Sequence, residues 1–480
     1  MISPDLSRSV KTVNCRDRQH IGYRLKTESL VSCRDMENQG ITILGETNYR
    51  NQRKRFGIRD YDRQRHIYIV GQTGMGKSTL LLNMLVQDIQ RGKGVALVDP
   101  HGDLAEQLLD YIPQRRMTDV IYINPTDIEY PVGINLLDDD KSIGQYLIAS
   151  HLVDIFKKIW SDSWGPRLEY ILRNTILALL EFGGHTLLSI PRLLIDPEFR
   201  AIVLNKVQDP VVRSFWQVEY ELYPKVFRTE TISPIQNKVG QFLSVPVMRN
   251  ILGQTQNKVD FRAAMDSGRI LVVNLAKGQL GEDNTGLLGS LVVSKLFLTA
   301  MSRSDVPVAK RTPFTVYVDE FQSFASDNFA HTLSEMRKFG LHLVLAHQYL
   351  AQLPLRLRSA VFGNVGTIIA FRVGAEDGEY LEKEYSPTFR ASDLQSLSAY
   401  DIYVKLSIEG KTTDAFSGRT IPEPIDRDSH RDAIIQLSRI RYGEDLPIVE
   451  SQIESLMADP IRNITKSEET CKVRDNSSRS

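Results

Sequence analysis

Residues 71–78 read Gly71-Gln72-Thr73-Gly74-Met75-Gly76-Lys77-Ser78 and fit the pattern G-x-x-x-x-G-K-[ST]. The short apolar run His66–Val70 before them is typical of a strand, and a helical pattern follows from Thr79 to about Gly92. Strand, glycine-rich loop and helix in this order are the arrangement of a phosphate-binding loop. The alternative, a glycine turn without a ligand, does not require this strand and helix and is the less favoured interpretation.

The residues of this loop suit a nucleoside triphosphate and its metal ion. The three glycines let backbone N–H groups turn inward and leave room for phosphate oxygens. Lys77 supplies a positive charge for the β- and γ-phosphates, and the Ser78 hydroxyl can coordinate Mg²⁺. The sequence therefore predicts ATP and Mg²⁺ as cofactors, with a more structural role for the Thr79 hydroxyl. The predicted nucleotide-binding residues of this segment are Gly71, Gln72, Thr73, Gly74, Met75, Gly76, Lys77, Ser78 and Thr79.

The composition indicates a large intracellular globular protein. The chain has 480 residues, 42% of them hydrophobic, which is enough for a large core and more than one domain. Its formal net charge is zero, so a nucleic acid or membrane partner would have to be attracted by local patches. Cys15, Cys33 and Cys471 form no C-x-x-C pair, which predicts a reducing compartment without a zinc site or disulfide framework.

No segment of the sequence is predicted to cross a membrane. The N-terminus is polar and charged where a signal peptide would be apolar. The longest apolar run, Leu287–Met301, is short for a span and contains Lys295. We expect a cytoplasmic protein, located peripherally at the inner face of the membrane if it meets the membrane at all.

Eight short apolar runs are predicted to be strands. Most of them lack polar alternation, which is typical of parallel strands whose two faces are both covered by helices. The predicted strands are Ile67–Val70, Val95–Val98, Val120–Ile123, Ile270–Leu275, Phe314–Val318, Leu341–Ala346, Thr367–Phe371 and Ile402–Leu406.

The long stretch between the third and fourth of these strands has helical patterns. Its frequent prolines, Pro234 among them, predict short helices with breaks. The expected fold is therefore α/β, a RecA-like P-loop NTPase core with a mostly parallel sheet, interrupted by an all-α inserted domain. The clearest helical patterns are Ile143–Trp160, Pro166–Phe182, Arg200–Val207 and Ile232–Phe242.

Two carboxylates follow the predicted strand Phe314–Val318. Opposite a phosphate-binding loop, Asp319 would orient Mg²⁺, usually through water, and Glu320 would polarise the attacking water. A strand that ends in Asp-Glu at a solvent edge is common in proteins, but together with the loop the pair predicts phosphoryl transfer. Ser78 and Asp319 are the predicted metal-binding residues, and Lys77 and Glu320 are predicted to be catalytic.

The order of several further motifs resembles the HerA/FtsK superfamily of ring ATPases, and most of all its conjugative, type IV secretion coupling-protein branch. The segment Leu333–Gly340 leads into the strand Leu341–Ala346, which is followed by His347-Gln348, and Val98–Asp103 follows the second strand. The resemblance covers most of residues 41–420. Many members of that branch begin with membrane helices, which are not predicted for this sequence.

The resemblance implies roles for two more residues. Arg337 would be an arginine finger that reaches the nucleotide of a neighbouring subunit, and Gln348 would sense the γ-phosphate. A planar guanidinium can neutralise transition-state charge, and a carboxamide can bind a phosphate oxygen or the attacking water. The alternative for Arg337 is a solvated cation at a helix end. Both residues are predicted to be catalytic.

Other candidates at the site are of second rank. His347 is expected to pack at a strand end rather than to act in catalysis. Arg372 is a candidate for phosphate contact, with a surface ion pair as the alternative. Asp99, His101 and Asp103 follow a strand beside the loop, on the side where α/β sheets bind ligands, and Asp99 is predicted to help bind the nucleotide.

A basic segment precedes the first predicted strand. Such a patch could meet DNA phosphates, but it could equally be a solvated hairpin or a subunit contact. Without a recognisable base-reading motif, DNA binding would depend on backbone contacts more than on base identity. The basic residues are Arg50, Arg53, Lys54, Arg55, Arg59, Arg63 and Arg65.

The resemblance implies a ring-forming ATPase, a hexamer, that translocates DNA in conjugative transfer or type IV secretion with relaxase or secretion-channel proteins as partners. The alternatives are a HerA-like DNA end-processing helicase, a secretion ATPase that acts on protein, and a nucleotide-gated interaction module without efficient turnover. The expected division of the chain is 1–40, a polar and partly disordered segment; 41–140, the first part of the motor domain; 141–265, the helical insertion; 266–425, the second part of the motor domain; and 426–480, C-terminal helices and a disordered tail.

Overall fold

The computed structural model describes residues 40–49, 53–138, 143–425, 427 and 429–458. The predictions for residues 1–39, for the end of the chain after 458, for Arg50 and for the three cysteines lie outside the described residues. The predicted division into domains likewise stays a prediction.

Eleven strands of the described residues form one sheet. The seven strands from β9 to β5 run parallel, and the four at the other end are antiparallel. The predicted α/β class with a mostly parallel sheet is therefore confirmed. Numbered along the chain and given in sheet order, the strands are β2 (Arg55–Arg59), β1 (Ile41–Thr47), β13 (Phe416–Thr420), β10 (Asp401–Lys405), β9 (Thr367–Ala370), β3 (Ile67–Val70), β8 (Leu341–His347), β7 (Phe314–Val318), β4 (Gly94–Asp99), β6 (Ile270–Asn274) and β5 (Val120–Ile123). A separate hairpin pairs β11 (Ser407–Ile408) with β12 (Lys411–Thr412).

Both faces of the parallel strands are buried. In β3, Tyr68 and Val70 belong to one hydrophobic cluster, and Ile67 and Ile69 belong to the cluster on the other face. Successive side chains of a strand point to opposite faces, so a strand covered on both sides needs an unbroken apolar run. This explains why the seven parallel strands could be predicted from their apolar runs. All eight predicted strands are present, including the antiparallel β10, and each end is within one residue of its expected position.

β1, β2 and β13, at the antiparallel edge of the sheet, were not predicted from the sequence. In β2, Phe56 and Ile58 are buried while Arg55 and Arg59 are exposed, and the strand pairs with β1 in an antiparallel register. This polar alternation is the signature of a half-buried strand. Its charged positions were interpreted as part of a basic patch, for which a solvated hairpin was one of the alternatives.

Helices cover both faces of the sheet and fill the chain between β5 and β6. Outside that interval they are α1 (Asp60–Arg63), α2 (Lys77–Gln90), α3 (Asp103–Leu109), α12 (Lys277–Leu280), α13 (Glu282–Ser302), α14 (Asp327–Met336), α15 (Leu355–Asn364), α16 (Ala375–Tyr385), α17 (Ala391–Gln395), α18 (Arg431–Tyr442) and α19 (Leu446–Ala458).

The helices between β5 and β6 include all four that the sequence predicts. Most prolines of this region stand at helix starts, where no backbone N–H is needed. The helix predicted at Ile232–Phe242 is longer than expected, because it begins at Lys225 and continues through Pro234, although the prolines of this region predict short helices. The helices of this region are α4 (Gln145–Ile159), α5 (Pro166–Phe182), α6 (Ser189–Ile195), α7 (Pro197–Lys206), α8 (Pro210–Ser214), a π-helical turn (Phe215–Tyr220), α9 (Lys225–Ser244), α10 (Pro246–Leu252) and α11 (Phe261–Asp266).

One helix of the described residues, Glu282–Asp305, is long and apolar enough to cross a membrane by length and composition. Of the residues in its most apolar stretch, 89% are buried inside the fold. This helix includes α13, whose side chains belong to the main hydrophobic cluster, and the burial is that of a core helix.

A buried ion pair joins the end of α2 to the sheet. The Arg63 guanidinium donates to both Asp88 carboxylate oxygens, each at 2.7 Å, and to the Tyr317 hydroxyl at 2.7 Å. Tyr317 in turn donates to Asp88 at 2.5 Å. Burial by itself would raise the pKa of Asp88, but the charge of Arg63 lowers it well below its usual range. Arg63 is therefore a structural residue, and the DNA-contact interpretation of the basic segment does not hold for it.

We expect Asp88→Ala to destabilise the fold by about 3–5 kcal/mol, because it leaves a buried guanidinium without its counter-ion. Tyr317→Phe, the matched control, removes the two hydrogen bonds of the hydroxyl but keeps the ion pair, and should cost about 2 kcal/mol. Because the pKa of Asp88 is lower in the folded than in the unfolded chain, its contribution is present above the unfolded value, about 4, and is lost as the pH falls through the folded value. Urea denaturation at neutral and acidic pH measures both effects. Equal costs for the two substitutions at neutral pH would contradict the assignment.

Candidate active site

The loop between β3 and α2 has the backbone that its glycines allow. Gly74 and Gly76 have φ values of 77° and 110°, a region that side chains other than glycine rarely adopt. A Cβ at Gly76 would also lie 2.7 Å from a ring carbon of Tyr400. The loop therefore needs glycine at position 74 for conformation and at position 76 for both conformation and space.

Lys77 and Ser78 begin α2 directly after this loop. The Lys77 ammonium donates to the carbonyl oxygens of Gly71 at 2.7 Å and Gln72 at 3.2 Å. Its side chain is buried, which lowers its pKa, while the negative charges of Glu320 and Asp319 act in the opposite direction. Ser78 is exposed. The ammonium thus lies between the loop and the two carboxylates, where the phosphates of a nucleotide would need a cation.

The two predicted carboxylates are buried at the end of β7. Burial, followed by the negative charges of Asp99 and Glu320, raises the pKa of Asp319 to about 7. Glu320 has a left-handed backbone, with φ 47° and ψ 49°, and its N–H donates to Asp319 at 3.0 Å. Crowded, buried carboxylates fit a Mg²⁺ ion, because the cation would offset their mutual repulsion.

Two amide side chains hold the Glu320 carboxylate. Gln348 Nε2 donates to one oxygen at 2.7 Å, and Gln322 Nε2 donates to the other at 2.6 Å. Gln348 follows β8, which lies between β3 and β7 in the sheet, so it emerges between the phosphate-binding loop and the carboxylates. Gln322 was not predicted to be a site residue, although it lies only two residues after Glu320 in the sequence.

Asp99 lies close to this group, but its own carboxylate is engaged in local structure. One oxygen accepts from the backbone N–H of His101 and the other from that of Ala105, both at 2.9 Å. The side chain is 1% exposed. This geometry favours a role in fixing the turn before α3, and a direct nucleotide contact of Asp99 stays a prediction. His101 and Asp103 are exposed near the same turn.

Arg337 lies at the end of the sheet where the parallel strands begin, whereas the phosphate-binding loop of the same chain lies where they end. Arg337 stands in a 3₁₀ turn shortly before β8, whereas Gln348 follows the end of that strand. The seven residues of β8 span about 20 Å at about 3.3 Å per residue. Arg337 is exposed and forms no ion pair with any other described residue. Burial lowers the pKa of His66 to about 4, and the positive charge of Arg337 adds to this effect. His66 directly precedes β3, so it lies at the same end of the parallel strands as Arg337.

Arg372 and His347 lie on either side of the loop. Arg372 Nε donates to the Gln72 side chain at 3.2 Å, and the Arg372 carbonyl accepts from the Gln72 N–H at 2.8 Å. Arg372 is therefore attached to the loop itself rather than to a surface carboxylate. His347 is fully buried, its Nδ1 lies 2.7 Å from the Tyr68 hydroxyl, and burial lowers its pKa to about 3, as expected of a packing residue.

Comparisons with known proteins show what the region around this site is similar to. Residues 60–292 match the family model described as the central domain of helicase HerA. The chain is 23% identical over 372 residues to the type 4 coupling protein DotL of Legionella pneumophila, an alignment that covers 65% of this chain and 47% of DotL. The chain thus spans about half the length of this curated relative.

Solved structures support the same fold. A bacterial conjugative coupling protein, TrwB, superposes with a TM-score of 0.56 at 15% identity, covering 78% of this chain and 89% of TrwB. VirB4 of Thermoanaerobacter pseudethanolicus superposes with a TM-score of 0.50 at 15% identity, covering 80% of this chain and 96% of VirB4. The phosphate-binding loop lies inside the region that matches the HerA central domain, and the chain is similar to the HerA/FtsK superfamily of P-loop ATPases, including type IV coupling proteins, and to VirB4 in fold.

Proposed function

We propose that this chain hydrolyses ATP with Mg²⁺ and, assembled as a ring, translocates DNA in conjugative transfer or type IV secretion. The observation that carries the proposal is the Glu320 carboxylate, fixed by Gln348 and Gln322 opposite Lys77. A carboxylate positioned to polarise water beside a phosphate-binding lysine is what hydrolysis requires and what a nucleotide-gated module does not need.

Each side chain then has a role. Lys77 would bind the β- and γ-phosphates, and Ser78 and Asp319 would hold the Mg²⁺ ion, which would supply positive charge to the phosphates. Glu320 polarises the attacking water, and Gln348 reports the presence of the γ-phosphate. Structures of TrwB with ADP and Mg²⁺ and with a non-hydrolysable ATP analogue support the same cofactors for this chain.

The position of Arg337 supports a ring. Because Arg337 lies where the parallel strands begin, it cannot act on the nucleotide of its own chain, which would bind where the strands end. In a head-to-tail assembly it can face the site of a neighbour. We propose a hexamer in which Arg337 completes the neighbouring site. A relaxase or secretion-channel proteins would be its partners, with the ring in the cytoplasm at the inner face of the membrane.

The proposal predicts that DNA stimulates ATP turnover at least several-fold in the assembled protein. ATPase rates with no DNA, with single-stranded DNA and with double-stranded DNA, measured while light scattering reports the subunit number, provide the check. Increasing salt should abolish the stimulation steeply, because phosphate contacts dominate such binding. A monomer with the same slow rate in all three conditions would contradict the proposal.

The match to the HerA central domain favours a second candidate, a DNA end-processing helicase that works with a nuclease. Such an enzyme would also be stimulated by DNA, but it should depend on free duplex ends. Stimulation by linear and not by covalently closed duplex DNA would favour it over the coupling-protein role. Stimulation by an unfolded protein and not by DNA would instead favour a secretion ATPase that acts on protein.

A further inference from the structure

Tyr400 contacts the phosphate-binding loop, and none of the roles above uses it. Its backbone N–H donates to the Met75 carbonyl at 2.9 Å, and its ring lies where a Cβ on Gly76 would be. The Thr420 N–H donates to the Tyr400 carbonyl at 2.9 Å, so both sides of its peptide are fixed. The side chain nevertheless remains 41% exposed.

The backbone of Tyr400 is unusual for an aromatic residue. Its φ of 69° lies in the left-handed region, which bulky side chains rarely adopt and which clusters at ligand-binding sites. The fixed backbone presents the ring at the loop while leaving much of it in solvent. A residue needed only for packing would be expected to bury its ring.

The sheet order places Tyr400 on a defined side of the loop. Tyr400 directly precedes β10, which runs antiparallel to β9. β10 therefore begins where the parallel strands end, and Tyr400 lies at that end of the sheet, where the phosphate-binding loop is. The order β10-β9-β3-β8-β7 puts it on one side of the loop and the Glu320 carboxylate on the other. A γ-phosphate that faces Glu320 therefore directs the nucleoside toward β9 and β10.

We propose that the base of the bound nucleotide stacks on the exposed face of the Tyr400 ring. The inference rests on the proposed function, in which the loop binds ATP, and it adds the site of the base. Aromatic rings stack on bases with little dependence on base identity, because every base has a π-face. The contact should therefore stabilise ATP and GTP to a similar degree.

The test compares Mg²⁺-ATP with Mg²⁺-tripolyphosphate, which has the phosphates but no base, by isothermal titration calorimetry. Tyr400→Asn removes the ring, and asparagine tolerates a left-handed backbone; Tyr400→Phe keeps the ring. We expect Tyr400→Asn to weaken ATP binding about 5- to 100-fold and to leave tripolyphosphate binding unchanged. Tyr400→Phe should bind both ligands like the wild type.

Three outcomes would overturn the inference, and they separate it from the proposed function. If Tyr400→Asn weakens ATP and tripolyphosphate equally, Tyr400 only supports the loop. If the wild type binds ATP no more tightly than tripolyphosphate, no base contact exists although the loop binds phosphates. If the wild type binds neither, the nucleotide site itself is refuted and the base contact with it.

Discussion

Glu320→Gln should slow ATP turnover by about 10²- to 10⁴-fold while leaving the affinity for Mg²⁺-ATP almost unchanged. Glutamine has the shape of glutamate and can still accept a hydrogen bond from Gln348, but it cannot act as a base toward water. The loop and Lys77, which would bind the phosphates, are untouched. Steady-state ATPase rates together with calorimetric affinities measure the two effects separately.

Two control variants make this prediction specific. Lys77→Ala should weaken ATP binding as well as turnover, because it removes the cation at the phosphates. Gln322→Ala removes only the amide that holds the second Glu320 oxygen, so its loss of turnover should be much smaller than that of Glu320→Gln. Slow hydrolysis that is insensitive to Glu320→Gln would refute the role of the carboxylate and favour a nucleotide-gated module.

Arg337→Ala should lower turnover of the assembled ring by about 10³-fold or more, the range measured for arginine fingers. Because Arg337 and the loop of its own chain lie at opposite ends of the parallel strands, we expect the loss of turnover to arise at the site of the neighbouring subunit. Arg337→Ala subunits keep Glu320, and Glu320→Gln subunits keep Arg337. Rings co-assembled from equal amounts of the two inactive variants should therefore regain activity.

The size of the recovery follows from the geometry of a head-to-tail ring. An active site needs an Arg337→Ala subunit followed by a Glu320→Gln neighbour, so about a quarter of the interfaces of a random mixture should be active. Lys338→Ala is the matched control, since Lys338 is an exposed neighbouring cation paired with Glu335. No recovery in rings that have demonstrably mixed would show that Arg337 does not act between subunits.

How far the fold was predictable depended on how each strand is buried. A parallel strand such as β3 is covered on both faces and needs an unbroken apolar run, which is visible in the sequence. At the antiparallel edge, β2 buries Phe56 and Ile58 and exposes Arg55 and Arg59. Its alternation is short, and the arginines drew the interpretation toward a DNA-binding patch.

The sequence by itself determined the chemistry of the site, because the phosphate-binding loop and the Asp-Glu pair are each a short continuous stretch of chain. Their conformations depend on local backbone requirements, such as the need for glycine at position 76. Only the tertiary structure decided which distant residues meet. Because β8 lies between β3 and β7, Gln348 at its end meets Glu320, and Arg337 before its start lies at the opposite end of the parallel strands. The position of β10 next to β9 brings Tyr400 to the loop. Sheet order arises from packing between segments that are remote in the chain, so no local pattern of residues records it.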